Sequence, residues 1–240
     1  MSTPNIQVFE VGGSIRDEIL GVASDDRDFC ASSARGWGAL LSWTGRKMRV
    51  FKVEEKFFTI RGMLAGDVID IVMCRKDGAS SDGRRPDEVT PGTLRDDLAR
   101  RDFTCNAMAR LVDMDLNSVG EIVDPFGGQQ DLANKVLRSV GSAQERFDED
   151  NLRLLRAVRF WITKGLTPDD DLMAMISSAE NWRSMQETIP HERIQNEVRK
   201  IMLQAPERGI RILATLPEGA LAGLFGGRLW LKPTLEKKKA

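Results

Sequence analysis

The stretch IQVFEVGGSIRD at residues 6–17, followed by DRD at residues 26–28, decides the fold of the first part of this chain. Its β-branched and aromatic start predicts a strand, and Ser14 is expected to cap a helix that runs through Leu20 and ends at Gly21. The two glycines between strand and helix let the backbone approach anionic oxygens, and a helix that begins there points its free N–H groups at them. The stretch therefore predicts a phosphate-binding turn.

The carboxylates of Asp26 and Asp28 are two positions apart, so on an extended segment they project from the same face. Two adjacent negative charges need a cation, and Mg²⁺ suits them because it is held by one or two carboxylates together with substrate phosphates. A glycine pair alone is often only a turn, and an Asp-x-Asp motif alone is often solvated. In this order, the two signals together predict a site for a nucleoside triphosphate and Mg²⁺.

The composition limits the classes of protein to which this chain can belong. Its 240 residues are 41% hydrophobic and 30% charged, which is typical of a folded globular protein. A net charge of −1 gives no general attraction to nucleic acid, so contacts with RNA must come from local patches. The three cysteines show no metal-ligand spacing, and no apolar run reaches the length of a membrane span. We therefore expect a cytoplasmic protein with no membrane partner.

We predict an α+β fold, in which a small mixed β-sheet covered by helices precedes an almost entirely helical part. The predicted strands after the glycine turn span residues 27–31, 48–53, 57–63 and 68–74. The predicted helices span residues 33–43, 94–111, 148–164, 169–179, 190–203 and 206–216. Residues 76–93, rich in glycine, proline and charge, predict a long loop of functional importance.

A second candidate site lies in RRDFTCNA at residues 100–107. Two adjacent arginines are usually an ordinary surface feature, but beside a phosphate site one of them can grip a triphosphate through two hydrogen bonds. Asp102 offers an acceptor for a ribose hydroxyl. The segment is therefore a candidate for binding the sugar and phosphates of a nucleotide.

A third candidate site is Glu149-Asp150-Asn151-Leu152-Arg153, at the start of the predicted helix over residues 148–164. On a helix Asp150 and Arg153 share a face, and Glu149 stands in the favourable order for an ion pair with Arg153. A carboxylate and a guanidinium side by side match the pairing edges of cytosine and adenine, whereas uracil and guanine present a carbonyl oxygen to the carboxylate. A mismatch would cost roughly 1–3 kcal/mol for each unpaired buried group. The alternative is a plain surface salt bridge, of about 0.3–0.5 kcal/mol.

Five motifs together carry a family resemblance: GGSIRD, DRD, ARRDFTCNA, DPFGGQQDL and FDEDNLRLLRAVRF. Their order and spacing resemble the nucleotidyltransferase and poly(A) polymerase family of the DNA polymerase beta superfamily, most closely the bacterial-type (class II) CCA-adding enzymes. The resemblance covers about residues 6–225, with a weaker match at residues 189–194. It implies a nucleotidyltransferase head domain at residues 1–138, a nucleotide-selecting helical neck at 139–200 and a shortened helical body at 201–240.

The resemblance also implies roles for individual residues. The expected metal ligands, which would bring the 3′ hydroxyl of a tRNA to the α-phosphate of CTP or ATP, are Asp26 and Asp28. The expected triphosphate-binding residues are Gly12, Gly13, Arg16 and Arg101, and Asp102 corresponds to the ribose-sensing position. The expected selectors of C or A are Asp150 and Arg153, with Glu149 orienting Arg153, and Arg156 and Arg159 match further nucleotide contacts. The DPFGG turn is similar to the elastic joint between head and neck.

Several alternatives remain open at this stage. A poly(A) polymerase or a partial CC- or A-adding enzyme would show the same motifs, and a noncatalytic RNA-binding module could keep the fold. A third carboxylate from Asp70 is as consistent with the sequence as a structural role for that residue. Asp77 stands where the family often has Glu, and the chain contains no tyrosine. Relatives continue beyond the neck, so we expect a compact form that depends on a homodimer or a partner, or a catalytic fragment.

Overall fold

The computed structural model describes residues 6–23, 27–78, 87–113 and 115–225. Asp26 and residues 79–86 of the predicted loop at 76–93 lie outside these ranges. Within them the chain has the predicted α+β architecture, with a mixed sheet in the first half and helices in the second.

Seven of the described strands form one sheet, in the order β3-β4-β5-β2-β1-β8-β9. Its strands are β1 (Ile6–Val11), β2 (Asp28–Ser33), β3 (Arg49–Glu54), β4 (Thr59–Leu64), β5 (Asp67–Met73), β8 (Ala109–Val112) and β9 (Ser118–Val123). Two short ladders lie outside it, formed by β6 (Arg75–Asp77) with β7 (Val89–Pro91) and by β10 (Val136–Leu137) with β11 (Thr167–Pro168). The sheet is mixed because β2 pairs with β5 in parallel, whereas its other strand pairs are antiparallel.

The helices of the first half are α1 (Gly13–Ile19), α2 (Gly36–Lys47), α3 (Leu94–Ala99) and α4 (Gly128–Ala133). Those of the second half are α5 (Ala143–Glu149), α6 (Arg153–Lys164), α7 (Asp170–Ser177), α8 (Ala179–Thr188), α9 (His191–Gln204), α10 (Pro206–Leu213) and α11 (Ala220–Phe225). The sequence interpretation did not include α4, α5, α8 and α11. None of the helices in the described ranges is long and apolar enough to cross a membrane.

Each face of the sheet buries its own cluster of apolar side chains. Helix α2 covers one face, where Leu40 packs against the β-sheet residues Phe29, Ile60 and Ile71. On the other face, Leu98 of α3 packs in a cluster with side chains from β1 and β2. The alternation of buried and exposed residues along β4 follows from this arrangement, because successive strand side chains point to opposite faces.

The largest core joins the end of the sheet region to the helices. Phe103 of the first half and Phe160 of α6 meet edge to face, with ring centroids 5.3 Å apart. Such an aromatic pair contributes about 0.5–1.5 kcal/mol beyond the burial of its area. The same cluster continues through α5, α6, α7, α8 and α9. The domain boundaries after residues 138 and 200 stay predictions, and the apolar core runs across both of them.

The prediction of one helix over residues 94–111 is wrong. Thr93 and Asp96 form a capping box that starts α3, but the helix ends at Ala99. Asp102 then accepts a hydrogen bond from the N–H of Phe103 at 2.9 Å, a local side-chain contact that competes with helix. Residues 104–106 form a 3₁₀ turn, and residues 109–112 form β8 because they pair with β1. The pairing of β8 with β1 therefore outweighs the local helical pattern of residues 109–112.

The prediction of one helix over residues 148–164 is also wrong. Helix α5 ends at Glu149, and Asp150 has extended backbone angles of φ −151° and ψ 102°. Helix α6 then begins at Arg153. Asp150 and Arg153 therefore do not share a helical face, and their neighbourhood depends on the break between two helices. The predicted loop at residues 76–93 differs as well, since its two ends pair as β6 and β7.

The DPFGG turn packs tightly against the sheet region. Asp124 accepts hydrogen bonds from the N–H groups of Gly128 and Gln129, each at 2.8 Å, and so caps the start of α4. A Cβ atom at Gly128 would lie 2.2 Å from the carbonyl oxygen of Thr104, so only glycine fits there. The turn and the 3₁₀ turn of residues 104–106 are thus in direct backbone contact.

Candidate nucleotide-binding site

The glycine turn lies directly beside the guanidinium of Arg101. Gly12 has φ +84°, a conformation that favours glycine, and its N–H donates to the carbonyl of Met108. A Cβ atom at this position would stand 2.7 Å from Nη1 of Arg101. The absence of a side chain at Gly12 therefore allows the Arg101 guanidinium to lie over the turn at the start of α1.

The guanidinium of Arg101, beside this turn, has an N–H donor that is not used within the described residues. Its Nη2 donates to the buried carboxylate of Asp97 at 3.3 Å, and its Nη1 to the carbonyl of Asn106 at 3.4 Å. Its buried Nε has no hydrogen-bond partner among the described residues. A buried donor without a partner is costly, and an anionic oxygen would satisfy it.

The sheet register brings the carboxylate of the DRD motif to the same place. Asp28, at the exposed start of β2, is paired with Val11, which directly precedes Gly12. Asp28 therefore lies beside the glycine turn, as the sequence predicted, whereas Asp26 lies outside the described residues. Among the described residues, no three His, Cys, Asp or Glu side chains form a metal-binding group. The donor set that fits Mg²⁺ here is carboxylates together with phosphate oxygens.

Arg27, between the two aspartates of the motif, anchors the start of β2. It donates two hydrogen bonds of 3.0 Å to Glu10 and one of 2.8 Å to the carbonyl of Leu116. Burial favours a higher pKa for Glu10, but hydrogen bonds from Arg27 and Ser118 outweigh it and lower this pKa to about 2. The sequence interpretation gave no role to Glu10 or Arg27.

Asp70 lies on the strand next to Asp28, as the sequence interpretation suggested. Phe29 of β2 pairs with Ile71 of β5, and the two strands are parallel. Asp28 and Asp70 directly precede these two residues, so they are also neighbours across the strands and lie on the same face of the sheet. The carboxylate of Asp70 accepts two hydrogen bonds from Arg61, at 2.7 and 2.6 Å. The structure thus gives Asp70 a structural partner, and a role as third carboxylate stays a prediction.

Arg16 is buried and points toward the helical part. Its Nε and Nη2 donate to Asp17 at 2.9 and 2.8 Å, and its Nη1 donates to Oδ1 of Asn106 at 2.6 Å. Its guanidinium carbon lies 4.9 Å from the centre of the Phe160 ring of α6, a cation–π distance. Asp17 also accepts from Lys164 at the end of α6, at 2.8 Å. The residue predicted to bind phosphate therefore also joins the glycine turn to α6.

Asp102 and Arg156 form a second link between the two parts. Arg156 donates to Oδ2 of Asp102 through Nε at 2.9 Å and through Nη2 at 2.5 Å. Burial would raise the pKa of Asp102, but the charge of Arg156 and the hydrogen bond from Asn106 hold it well below its usual range. The predicted ribose-sensing carboxylate is thus ionised and held in one orientation.

Arg153 is fixed by Glu149, as predicted, and by the end of α3. Its Nη1 donates to Glu149 at 2.6 Å, and its Nη2 donates to the carbonyl of Arg100 at 2.9 Å. Arg146 pairs with the other oxygen of Glu149 at 2.6 Å and donates to the carbonyl of Ala99 at 2.9 Å. Two arginines of the helical part therefore satisfy consecutive carbonyls at the C-terminal end of α3, where a helix attracts cations.

The predicted selector Asp150 and the predicted nucleotide contact Arg159 both have partners on α9. Asp150 accepts from Arg193 at 3.3 and 2.9 Å, and its Oδ1 also accepts from the N–H of Leu152. Arg159 pairs with the buried Glu197, and its guanidinium carbon lies 4.4 Å from the Phe160 ring centre. Burial would raise the pKa of Glu197, but the charge of Arg159 outweighs burial and lowers it.

Sequence reasoning missed the partners that hold these predicted residues. They are Asp17, Asn106, Lys164, Arg193 and Glu197. Most of these partners come from elements far apart in the chain, so spacing alone carries no signal for them. Asp17, Asn106 and Arg193 stood inside the quoted motifs or the weaker match at residues 189–194, but none of them was given a role.

A mixed sheet with a glycine turn after an interior strand, β1, and an aspartate paired beside that turn defines a nucleotidyltransferase head. The Poly A polymerase head domain family matches residues 8–138, more than half of the chain. The chain therefore belongs to this family, which confirms the resemblance seen in its motifs.

The chain is also similar to curated proteins that are CCA-adding enzymes. The CCA-adding enzyme of Geobacillus kaustophilus is 34% identical over 224 residues, covering 91% of this chain and 50% of that protein. The CCA-adding enzyme of Levilactobacillus brevis is 36% identical over 230 residues, covering 90% and 53%. This chain thus spans about half the length of these curated relatives.

Solved structures show the same fold. A Bacillus stearothermophilus CCA-adding enzyme in complex with CTP has a TM-score of 0.70 and 30% identity, covering 87% of this chain and 48% of that one. A Thermotoga maritima CCA-adding enzyme complexed with tRNA has a TM-score of 0.71 and 27% identity, covering 95% and 50%. The predicted head fold is therefore confirmed.

Proposed function

We propose that this protein is a cytoplasmic, template-independent RNA nucleotidyltransferase that adds C and A from CTP and ATP to the 3′ end of tRNA and releases pyrophosphate. The observation that supports this most directly is the register of β1 with β2, which sets Asp28 beside the glycine turn under Arg101. The similarity to CCA-adding enzymes over most of this chain supports tRNA as the RNA substrate.

Asp26 and Asp28 would hold a catalytic Mg²⁺. When bound, the metal lowers the pKa of an attacking hydroxyl and neutralises charge on the transferred phosphate. The side chains of the protein supply the rest of the site. Gly13, Arg16 and Arg101 bind the triphosphate, and because positioning carries much of the rate of phosphoryl transfer, their fixed geometry favours reaction.

Asp150 and Arg153 would select the base, with Arg156 and Arg159 as further nucleotide contacts. The Arg153 guanidinium has five N–H donors, and three hydrogen bonds to Arg146, Glu149 and Arg100 fix its plane. Its remaining donors are then available to a ring nitrogen of cytosine or adenine. Asp150, fixed by Arg193, would accept from the exocyclic amino group of the same base.

The test is extension of a tRNA transcript that ends before its CCA sequence, with each nucleotide alone and with CTP and ATP together. The proposal predicts addition of two C with CTP alone and of CCA with both, dependent on Mg²⁺. The matched control is Asp28→Asn, which should reduce extension about 10³-fold. An absence of labelled product from the wild-type protein with Mg²⁺ would contradict the proposal.

The same assay separates the alternatives. A long run of A from ATP alone would indicate a poly(A) polymerase, and only C or only A would indicate a partial CC- or A-adding enzyme. A noncatalytic RNA-binding module would bind tRNA without extending it. Sedimentation of the protein with and without tRNA would show whether a homodimer grips the RNA.

A further inference from the structure

Arg27 stands between the two predicted metal ligands in the sequence, but its side chain lies on the opposite face of the sheet from Asp28. Successive side chains of an extended segment point to opposite faces, so Arg27 shares a face with Phe29. Its guanidinium carbon lies 5.0 Å from the centre of the Phe29 ring, on the face that α2 covers. Asp28 is paired with Val11, which packs in the cluster on the other face. Arg27 is therefore not placed to touch a metal or a nucleotide held by Asp28.

The guanidinium of Arg27 joins the start of β2 to β1 and to the turn between β8 and β9. Its Nε and Nη2 donate to the Glu10 carboxylate of β1, each at 3.0 Å. Its Nη2 also donates to the carbonyl of Leu116 in the turn, at 2.8 Å. The hydroxyl of Ser118, the first residue of β9, donates to Glu10 as well. We call these four residues the Arg27 clamp.

Both acceptors of Arg27 have unusual local structure. Glu10 is only 6% exposed, and a buried carboxylate is costly unless a cation is paired with it. Leu116 has φ +61°, a left-handed conformation that is uncommon for leucine, and its carbonyl accepts from Arg27 in that conformation. Such a conformation persists only where the surrounding contacts require it. The position of the Arg27 guanidinium is therefore closely defined by its partners.

Asp28 lies at the end of the ladder that joins β1 to β2. The last pair of this ladder is Val11 with Asp28, so the ladder holds the backbone of Asp28 from one side only. The Arg27 clamp, one residue earlier, holds it from the other side. Mg²⁺ demands near-ideal octahedral geometry with ligand distances of about 2.0–2.1 Å, so it tolerates little movement of the backbone that carries its carboxylates. The clamp can thus fix a metal ligand without contacting the metal.

We propose that Glu10 and Arg27 are positioning residues that fix the two carboxylates of the DRD motif for Mg²⁺ binding. The inference depends on the proposed function, because it takes Asp26 and Asp28 as the residues that hold the metal. In metal sites, residues that orient the ligands contribute a factor of about 10–100 in metal affinity or activity. A clamp that served stability alone would leave the metal dependence unchanged.

Two control variants separate positioning from stability. Glu18→Gln weakens another paired arginine, because Glu18 accepts two hydrogen bonds of 2.8 Å from Arg110, and neither residue belongs to the clamp. Ile60→Val removes one methylene group from the core on the same face of the sheet as Arg27, where Ile60 is fully buried. Glu18→Gln thus controls for the loss of a charge pair, and Ile60→Val controls for a loss of stability.

The experiment compares the wild type with Arg27→Met, Arg27→Lys, Glu10→Gln and the two controls. It measures the Mg²⁺ concentration for half-maximal tRNA extension, and the dissociation constant of Mn²⁺ in the presence of CTP by electron paramagnetic resonance. We expect both metal constants to rise about tenfold in Arg27→Met, and to rise less in Arg27→Lys, which keeps the charge but not the paired donors. Glu10→Gln should also raise both constants, and the two controls should keep the wild-type values.

Metal constants in Arg27→Met that equal those of Ile60→Val, at comparable urea midpoints, would overturn the inference. If Arg27→Met does not fold, the double variant of Glu10→Gln with Arg27→Gln replaces it, because it leaves no unpaired buried charge. The Mn²⁺ measurement needs no turnover. A wild-type protein that binds Mn²⁺ with CTP but does not extend tRNA would therefore contradict the proposed function and still decide the role of the clamp.

Discussion

The two ends of the proposed nucleotide site are built in different ways. At the catalytic end, Asp28 is exposed at the start of a strand, and local sequence sets its position through the register with β1. At the selecting end, Asp102, Arg153, Arg156 and Arg159 are held by partners from α3, α5, α9 or the 3₁₀ turn. Substitution of the exposed Asp28 should therefore change stability little, whereas loss of a partner of the buried Asp102 at the selecting end should lower stability.

The largest expected effect is at the catalytic end. Asp28→Asn should reduce nucleotide incorporation by about 10³-fold, comparable to the loss of one group that stabilises transition-state charge. Its thermal unfolding should match that of the wild type, since the side chain is exposed. Asp67→Asn, an exposed aspartate at the start of β5, is the control and should keep full activity. A large loss of stability in Asp28→Asn would contradict the view that the catalytic end contributes less to stability than the selecting end.

The next effect is at the selecting end. Arg156→Met removes one partner of the ion pair with the buried Asp102 and should lower the free energy of unfolding by about 2 kcal/mol. This loss in the free energy of unfolding is smaller than for a fully buried pair, because the side chain of Arg156 is 30% exposed. Urea denaturation of the variant and the wild type measures the loss. Arg61→Met removes the exposed pair with Asp70 and should change the unfolding curve little; equal losses in the two variants would contradict the prediction.

A smaller effect should appear in specificity alone. Glu149→Gln weakens the ion pairs that hold Arg146 and Arg153, so discrimination of CTP against UTP should fall about tenfold. Competition between labelled CTP and UTP in tRNA extension measures the ratio of their incorporation. Glu145→Gln changes an exposed residue of the same helix and should leave the ratio unchanged. Unchanged selectivity in Glu149→Gln would show that the base is not read by Arg153.

The last prediction is a pH dependence of stability at the catalytic end. Because the folded-state pKa of Glu10 is lowered to about 2, its ion pair with Arg27 stabilises the fold above pH 4.5, the ordinary pKa. That stabilisation is lost as pH falls from about 4.5 toward 2. Glu10→Gln should be less stable than the wild type at pH 7, and the difference should shrink in this window. A constant difference in urea midpoints from pH 7 to pH 2.5 would exclude this linkage.

The sequence predicted five of the seven strands of the sheet and the glycine turn, because strand propensity and turn chemistry are local. It failed at residues 100–112, where Asp102 bonds to the next backbone N–H and β8 pairs with β1. It failed again at Asp150, which is extended and paired with Arg193, 43 positions further along the chain. Contacts such as those of Asn106 depend on which distant segments meet, and this information is absent from local patterns.

The apolar core shared by Phe103, Met108 and the helices of the second half has a practical consequence for work with shorter pieces of this protein. A fragment cut after residue 138 would leave these side chains without Phe160 and its neighbours. Each large apolar side chain so uncovered costs about 1.5–3 kcal/mol, and an open apolar surface promotes aggregation. Isolated expression of the sheet region should therefore give insoluble material, whereas a piece that retains α5 to α9 should fold cooperatively.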